Sequence, residues 1–358
     1  MFKTYEKYII KNFINKFITI SIIFLSLVII LSILEEISFF KNLEVNFLFP
    51  YFLTLLSAPI TLFEMFPFIF LLATQFLFFD LFKKEELNLL KSNGMSNLKV
   101  IKILFFSSLL MGILTVIIYY NAASKLKFFY TDIKNKFSND NKYLAVVTDS
   151  GLWLKDEIKE DTFIVKATNI KDNYLINVII YKFDKNFNLV RTIQSKKINI
   201  GKKRWLAEKS IVTERNITDE VINFEIETNF DQEKINNLFS NISTLNILEL
   251  FDLKKDYENL GYSSDEILIH LLKLFSTPFF YGVLTVMSSI IMFNFKKDKS
   301  LFFHVILGIL MSVIIYYINF MFSSLGNNGK IPIVISIFLP IVFISIFAII
   351  GLIRVNEK

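Results

Sequence analysis

His270 and His304 are the only side chains here that ordinarily titrate near neutral pH. They fall in different apolar stretches, and neither belongs to a His-Glu-x-x-His pair. A lone histidine in such a stretch is expected to be a buried hydrogen-bonding residue. With no cysteine in the chain, disulfides, thiol nucleophiles and Cys-zinc sites are excluded. There is no Gly-x-Ser-x-Gly elbow and no dinucleotide fingerprint. Gly326-Asn327-Asn328-Gly329-Lys330 has the glycines and lysine of a phosphate loop. It lacks the spacer and the hydroxyl residue that such a loop needs. No catalytic set, resident cofactor or metal is expected, and any nucleotide hydrolysis must come from a partner that binds ATP and Mg.

Two charged clusters carry more information. Lys83–Val100 places Leu87, Leu90 and Met95 as a short apolar stripe beside Glu86, Lys91 and Lys99, with Gly94 as a C-terminal cap. Such a helix can lie along a membrane or dock in a groove of another protein. Glu35 and Glu36, with Lys41 just beyond, close an apolar stretch. They are solvated, or they face a polar headgroup or a divalent ion bridging to phosphate.

The elements that must position these residues are set by hydropathy. Of 358 residues 53% are hydrophobic, and 41 are Phe; the mean hydropathy is +0.50. A bilayer crossing needs about 20 apolar residues. Six stretches qualify: Phe17–Leu34, Phe49–Phe79, Val100–Asn121, Ile267–Phe293, Leu301–Phe322 and Ile333–Ile353. The second is too long for one straight span and contains Pro50, Pro59 and Pro67, so a kinked or tilted helix is expected.

Lysine and arginine set the orientation. Lys3, Lys7, Lys11 and Lys16 precede the first span, and Lys83, Lys84, Lys91, Lys99 and Lys102 lie between the second and third. Lys296, Lys297 and Lys299 follow the fourth span, and Arg354 and Lys358 the sixth. The opposite short loops hold only Lys41 and Lys330. Both termini are therefore expected in the cytoplasm and the middle block outside. The net charge of +6 is a topology signal and not a nucleic-acid footprint. Ile18–Leu34 runs into Glu35 without a small-x-small cleavage pattern, so it is expected to be a retained anchor.

The polar block between spans three and four alternates like β-structure. Ala122–Asn141 reads as a helical exit. Strands are expected at Tyr143–Thr148, Leu152–Lys155, Thr162–Thr168, Leu175–Phe183, Leu189–Ile200, around Trp205 and at Val221–Phe230. Turns are expected at Asp149-Ser150-Gly151, Asp184–Asn186 and Gly201-Lys202-Lys203. In the last strand Ile222, Phe224 and Ile226 are expected to share a face. An antiparallel sandwich or jellyroll follows. Trp153 and Trp205 are expected in core or edge packing, and residues 232–264 as helical or irregular. The fold class is a membrane protein of α+β type, with six transmembrane helices and a β-jellyroll domain inserted between helices 3 and 4. The expected domains are 1–124, with a cytoplasmic helix at 83–100; 125–264; and 265–358.

Four stretches, in this order, resemble the LptF/LptG permeases, the transmembrane subunits of the lipopolysaccharide export ABC transporter. They are Leu55-Leu56-Ser57-Ala58-Pro59 with Phe66-Pro67; Glu86-Leu87 with Gly94-Met95-Ser96; Gly151-Leu152-Trp153-Leu154-Lys155-Asp156; and Gly308, Tyr316, Ile331-Pro332 and Pro340. The third is more similar to LptG than to LptF.

The resemblance implies a permease in the inner membrane of a Gram-negative bacterium, with its jellyroll in the periplasm. It implies four partners: an LptB-like ATPase dimer, an LptF-like second permease, an LptC-like single-helix protein, and lipopolysaccharide as cargo. By position, Glu86, Leu87, Leu90, Gly94 and Met95 would couple to the ATPase. Glu35, Lys41, Phe63, Phe66, Phe302 and Phe320 are candidates for substrate or gate contacts, and Phe224 and Ile226 for a periplasmic lipid path. Glu35 and Glu36 stand where the family often has basic residues. The alternatives are a permease of another envelope-lipid or lipoprotein ABC exporter, or an intramembrane lipid-modifying enzyme.

Overall fold

A computed structural model describes residues 4–41, 43, 45–135, 137, 152–158, 161–171, 173–201, 204–214, 217–228, 230, 232, 235, 241–259, 263–294 and 300–356. The strand expected at Tyr143–Thr148, the turn after it and Lys296, Lys297 and Lys299 lie outside these residues. The chain divides into two compact units, Met1–Tyr130 with Asp265–Lys358, and Thr131–Ser264.

The first unit is helical. Helix α1 is Thr4–Phe40, α2 is Phe49–Lys83, and α3 is the short Glu86–Ser92. Helix α4 (Asn97–Leu114) passes through a π-helical turn at Thr115–Tyr120 into α5 (Asn121–Asn135). After the β insert and helix α6 (Ile247–Asn259) come α7 (Asp265–Asn294), α8 (Leu301–Asn327) and α9 (Ile333–Asn356). Among the described residues six helical segments are long and apolar enough to cross a membrane: α1, α2, α4 continued by α5, α7, α8 and α9. The expected six spans are present.

Phe supplies the packing. Phe13, Phe17, Phe66, Phe70, Phe78 and Tyr281 are buried in one cluster joining α1, α2 and α7. Phe17 lies 4.7 Å from Phe70, centroid to centroid, and Phe70 stacks on Tyr281 at 4.4 Å. Offset and edge contacts of this kind add to the dispersion gain of burial. Where lipid is as apolar as the helices, polar side chains and small residues must supply specificity. Ser108 and Thr285 hydrogen-bond across α4 and α7 at 2.7 Å, and the Ser288 hydroxyl donates to the Leu71 carbonyl at 2.8 Å.

Two successive tyrosines at the end of the π-turn reach partners on different helices. Tyr119 donates to the Pro59 carbonyl of α2 at 3.0 Å, and Tyr120 bonds His270 of α7 at 2.8 Å. His304 bonds the Ser300 carbonyl at 3.0 Å. Both histidines are hydrogen-bonded residues within the bundle, as expected.

The insert is antiparallel β. Strands β1 (Leu152–Ile158), β2 (Asp161–Ala167), β4 (Tyr174–Phe183), β5 (Leu189–Asn199), β6 (Arg204–Glu214) and β7 (Ile217–Glu227) pair in that order; the short β3 (Asn169–Lys171) pairs with β4. Trp205 is buried and donates to the Phe230 carbonyl at 2.8 Å. Trp153 is a partly exposed residue with Lys166 over its ring. In the β4–β5 turn the Asn188 backbone N–H and side chain bond the Asp184 carboxylate, holding its pKa below the usual carboxylate value.

One face of the sheet is buried, but not by simple alternation. Leu175 and Val178 of β4 are both buried although three residues apart. So are Ser195 and Ile198 of β5, and Ala207 and Ser210 of β6. Residues three apart point to opposite faces of a regular strand, so each strand reverses its facing between them. The reversals align in register, with Leu175 opposite Ile198, Ile198 opposite Ala207, and Ala207 opposite Phe224. Asn177 (φ 49°) and Asn223 (φ 57°) make the reversal in β4 and β7. Asparagine tolerates that left-handed geometry better than branched residues do. At this crease the Ser195 hydroxyl donates to the Lys209 carbonyl at 2.7 Å, and that of Ser210 to the Val221 carbonyl at 3.1 Å. The expected shared face of Ile222, Phe224 and Ile226 is thereby corrected: Ile226 is buried and Phe224 half-buried, but Ile222, beyond Asn223, is 69% exposed.

Candidate functional site

The segment between α2 and α4 is built by three backbone devices. Glu85 takes a left-handed conformation (φ 58°) and breaks α2 from α3. Gly94 (φ 79°) ends α3, with its N–H on the Lys91 carbonyl and the Met95 N–H on the Leu90 carbonyl. A Cβ there would be strained whatever space surrounded it. Ser96 then caps α4, its hydroxyl accepting from the Lys99 N–H at 3.3 Å.

These turns fix which way α3 faces. Leu87 and Met95 are buried and Leu90 packs beside them, in the same cluster as Phe13, Phe78 and Leu81. The apolar stripe is therefore spent on the chain's own core. The opposite side presents Asn88, Leu89, Lys91, Ser92 and Asn93. Leu89 on this side is 62% exposed; it lies off the stripe, and nothing in its spacing set it apart from any surface leucine.

Glu86 stands at the N-terminus of α3. The Tyr8 hydroxyl of α1 donates to its Oε2 at 2.8 Å, and the Lys84 ammonium is 4.0 Å from Oε1. Nearby, Lys16 pairs with Asp80, and Lys99 lies over the Tyr5 ring at 5.1 Å. The N-terminal end of α1 is thus tied to α2, α3 and α4. No sequence signal marked Tyr8, whose partner is far away in the chain.

The other candidates are dispersed. Phe66 is buried against Phe17, Tyr119 and Tyr281, and Phe63 is half-buried against Phe66 and Tyr120. Phe302 and Phe320 are exposed on α8. Glu35 and Lys41 are exposed, while Glu36 is buried and accepts from the Tyr130 hydroxyl at 2.7 Å. No group of His, Asp and Glu suited to a metal occurs among the described residues.

Six apolar helices, with an antiparallel insert following the third in the chain, accompany a match to a known family. The model of the lipopolysaccharide export system permease LptF/LptG family matches residues 7–354. The chain belongs to this family. No curated protein matches it. The LptF/LptG match runs through the β insert and all six apolar helices, so the chain is a multi-pass inner-membrane protein with a role in lipopolysaccharide export.

Proposed function

We propose that this chain is one permease of an ATP-driven exporter that takes lipopolysaccharide from the outer leaflet of the inner membrane and passes it to a periplasmic bridge. Both termini and α3 lie in the cytoplasm, and the β insert lies in the periplasm. An LptB-like ATPase dimer, a second LptF-like permease and an LptC-like single-helix protein complete the assembly. The domains divide at residues 1–124, 125–264 and 265–358. The family match over almost the whole chain carries this proposal.

In this mechanism α3 transmits closure of the ATPase dimer to α2 and α4 as a rigid body. Leu87, Leu90 and Met95 hold α3 to the bundle and Gly94 sets its angle, while Glu86 and Leu89 meet the ATPase. Motion of the spans collapses the space between the two permeases, a difference in affinity for lipid between two states. Each acyl methylene exposed on the way costs about 0.8 kcal/mol, so an apolar path is needed. Phe63, Phe302 and Phe320 stand on its membrane part, and Phe224 and Ile226 on its periplasmic part. Purification from native membranes in mild detergent tests the proposal. An LptB-like ATPase and a second six-span permease should copurify; recovery of the chain without any ATPase refutes it.

A further inference from the structure

The N-terminal part of α1 carries a groove of about 310 Å³ lined by Lys7, Ile10, Lys11, Ile14 and Asn15. The apolar residues do not stop at its edge. Ile10, Ile14, Ile18 and Ile22 recur every four residues, so each neighbours the next and together they form a stripe that winds about a third of a turn around the helix. Ile18 and Ile22 are at least half exposed. A continuous apolar track thus runs from the groove into the hydrocarbon, with two ammonium groups at its head.

Depth places Lys11 within the headgroup zone and Lys7 beyond it, so Lys7 reaches that zone only through its flexible stem. Lys16 and its partner Asp80 mark the cytoplasmic border of the apolar stretch. At 1.5 Å per residue, Lys11 lies about 7 Å and Lys7 about 13 Å beyond it. The headgroup zone extends about 5–8 Å past the hydrocarbon on each side. Neither lysine makes an ion pair with a described residue, whereas Lys16 does.

We propose that this track and its two lysines form a binding site for an anionic phospholipid of the cytoplasmic leaflet. The phosphate sits at Lys11, with the Lys7 ammonium reaching toward it, and an acyl chain lies along Ile14, Ile18 and Ile22. The site is distinct from the cargo path, since it opens at the cytoplasmic end of α1. It rests on the topology proposed above. Because Tyr8 of the same helical turn holds Glu86, a lipid seated here would also steady α3.

The chain has no cysteine, so Ile18→Cys gives a single labelling site. The labelled full-length permease is placed in bilayers of zwitterionic lipid containing either brominated phosphatidylglycerol or brominated phosphatidylcholine. Phosphatidylglycerol should quench the label with an apparent preference of about fivefold or more. Lys7→Gln with Lys11→Gln should abolish the preference, and Lys7→Arg with Lys11→Arg should keep it. Equal quenching by the two lipids, a preference that survives the glutamine pair, or no quenching by either because protein covers the track would each overturn the proposal. Labelling a Lys7→Cys variant with an impermeant maleimide reads the topology separately. Reaction from the periplasmic side would refute the topology and leave the quenching result to stand by itself.

Discussion

Glu86 is held at one oxygen by Tyr8 and approached by Lys84 at the other, so its carboxylate is oriented before any partner arrives. Glu86→Ala should lower lipid-stimulated ATP hydrolysis about tenfold, the scale of a lost charged hydrogen bond. The membrane subunits should stay assembled; normal coupled transport in that variant would defeat the coupling role. A second residue-scale prediction concerns Gln75 of α2. Its amide is 1% exposed, and neither amide atom has a hydrogen-bond partner among the described residues. It presses on Gly308 of α8, where a Cβ would stand 2.2 Å from Oε1. In Gly308→Ala the end of the Gln75 side chain must turn away from the new methyl group, so the protein should lose about 1 kcal/mol or less. Gln75→Leu, which removes a buried unsatisfied amide, should stabilise it by about 1–3 kcal/mol. Thermal unfolding of the purified protein reads both, and the opposite order of melting temperatures would show that the amide is satisfied in the membrane. The glutamine and the glycine were each visible in the sequence. Their contact was not, because it joins helices far apart in the chain.

Among the elements, the strands and their antiparallel pairing were legible from period-two alternation and turn residues. The crease was not. Ile222, Phe224 and Ile226 have the spacing of one face, and only the left-handed Asn223 between the first two separates them. Asn177→Val should destabilise the β insert by about 1–2 kcal/mol, the cost of a left-handed branched residue. Asn177→Gly should be neutral or stabilising, measured by unfolding of the intact chain with Trp205 as reporter. Equal effects of the two substitutions would mean that the crease stores no backbone strain. The cytoplasmic segment shows the same limit. Its amphipathic stripe and glycine stop were readable from spacing, whereas the direction of the stripe depended on an apolar pocket formed by α1, α2 and α4.

For the whole molecule, the lysine distribution makes a direct prediction. In the cysteine-free chain, Lys84→Cys should react with an impermeant maleimide only from the cytoplasmic side and Lys330→Cys only from the periplasmic side. The reverse pattern would invert the molecule in the membrane. The amino-acid sequence alone determined six spans, the β insert after the third, and the family, because bilayer thickness and strand alternation act on local runs of residues. Tertiary structure alone decided that Phe66, Leu87 and Met95 are packed inside, that Tyr8 holds Glu86, and that the sheet keeps one buried face across a crease. Those outcomes depend on which distant surfaces meet, and close packing of side chains is a property of the meeting surfaces rather than of either segment.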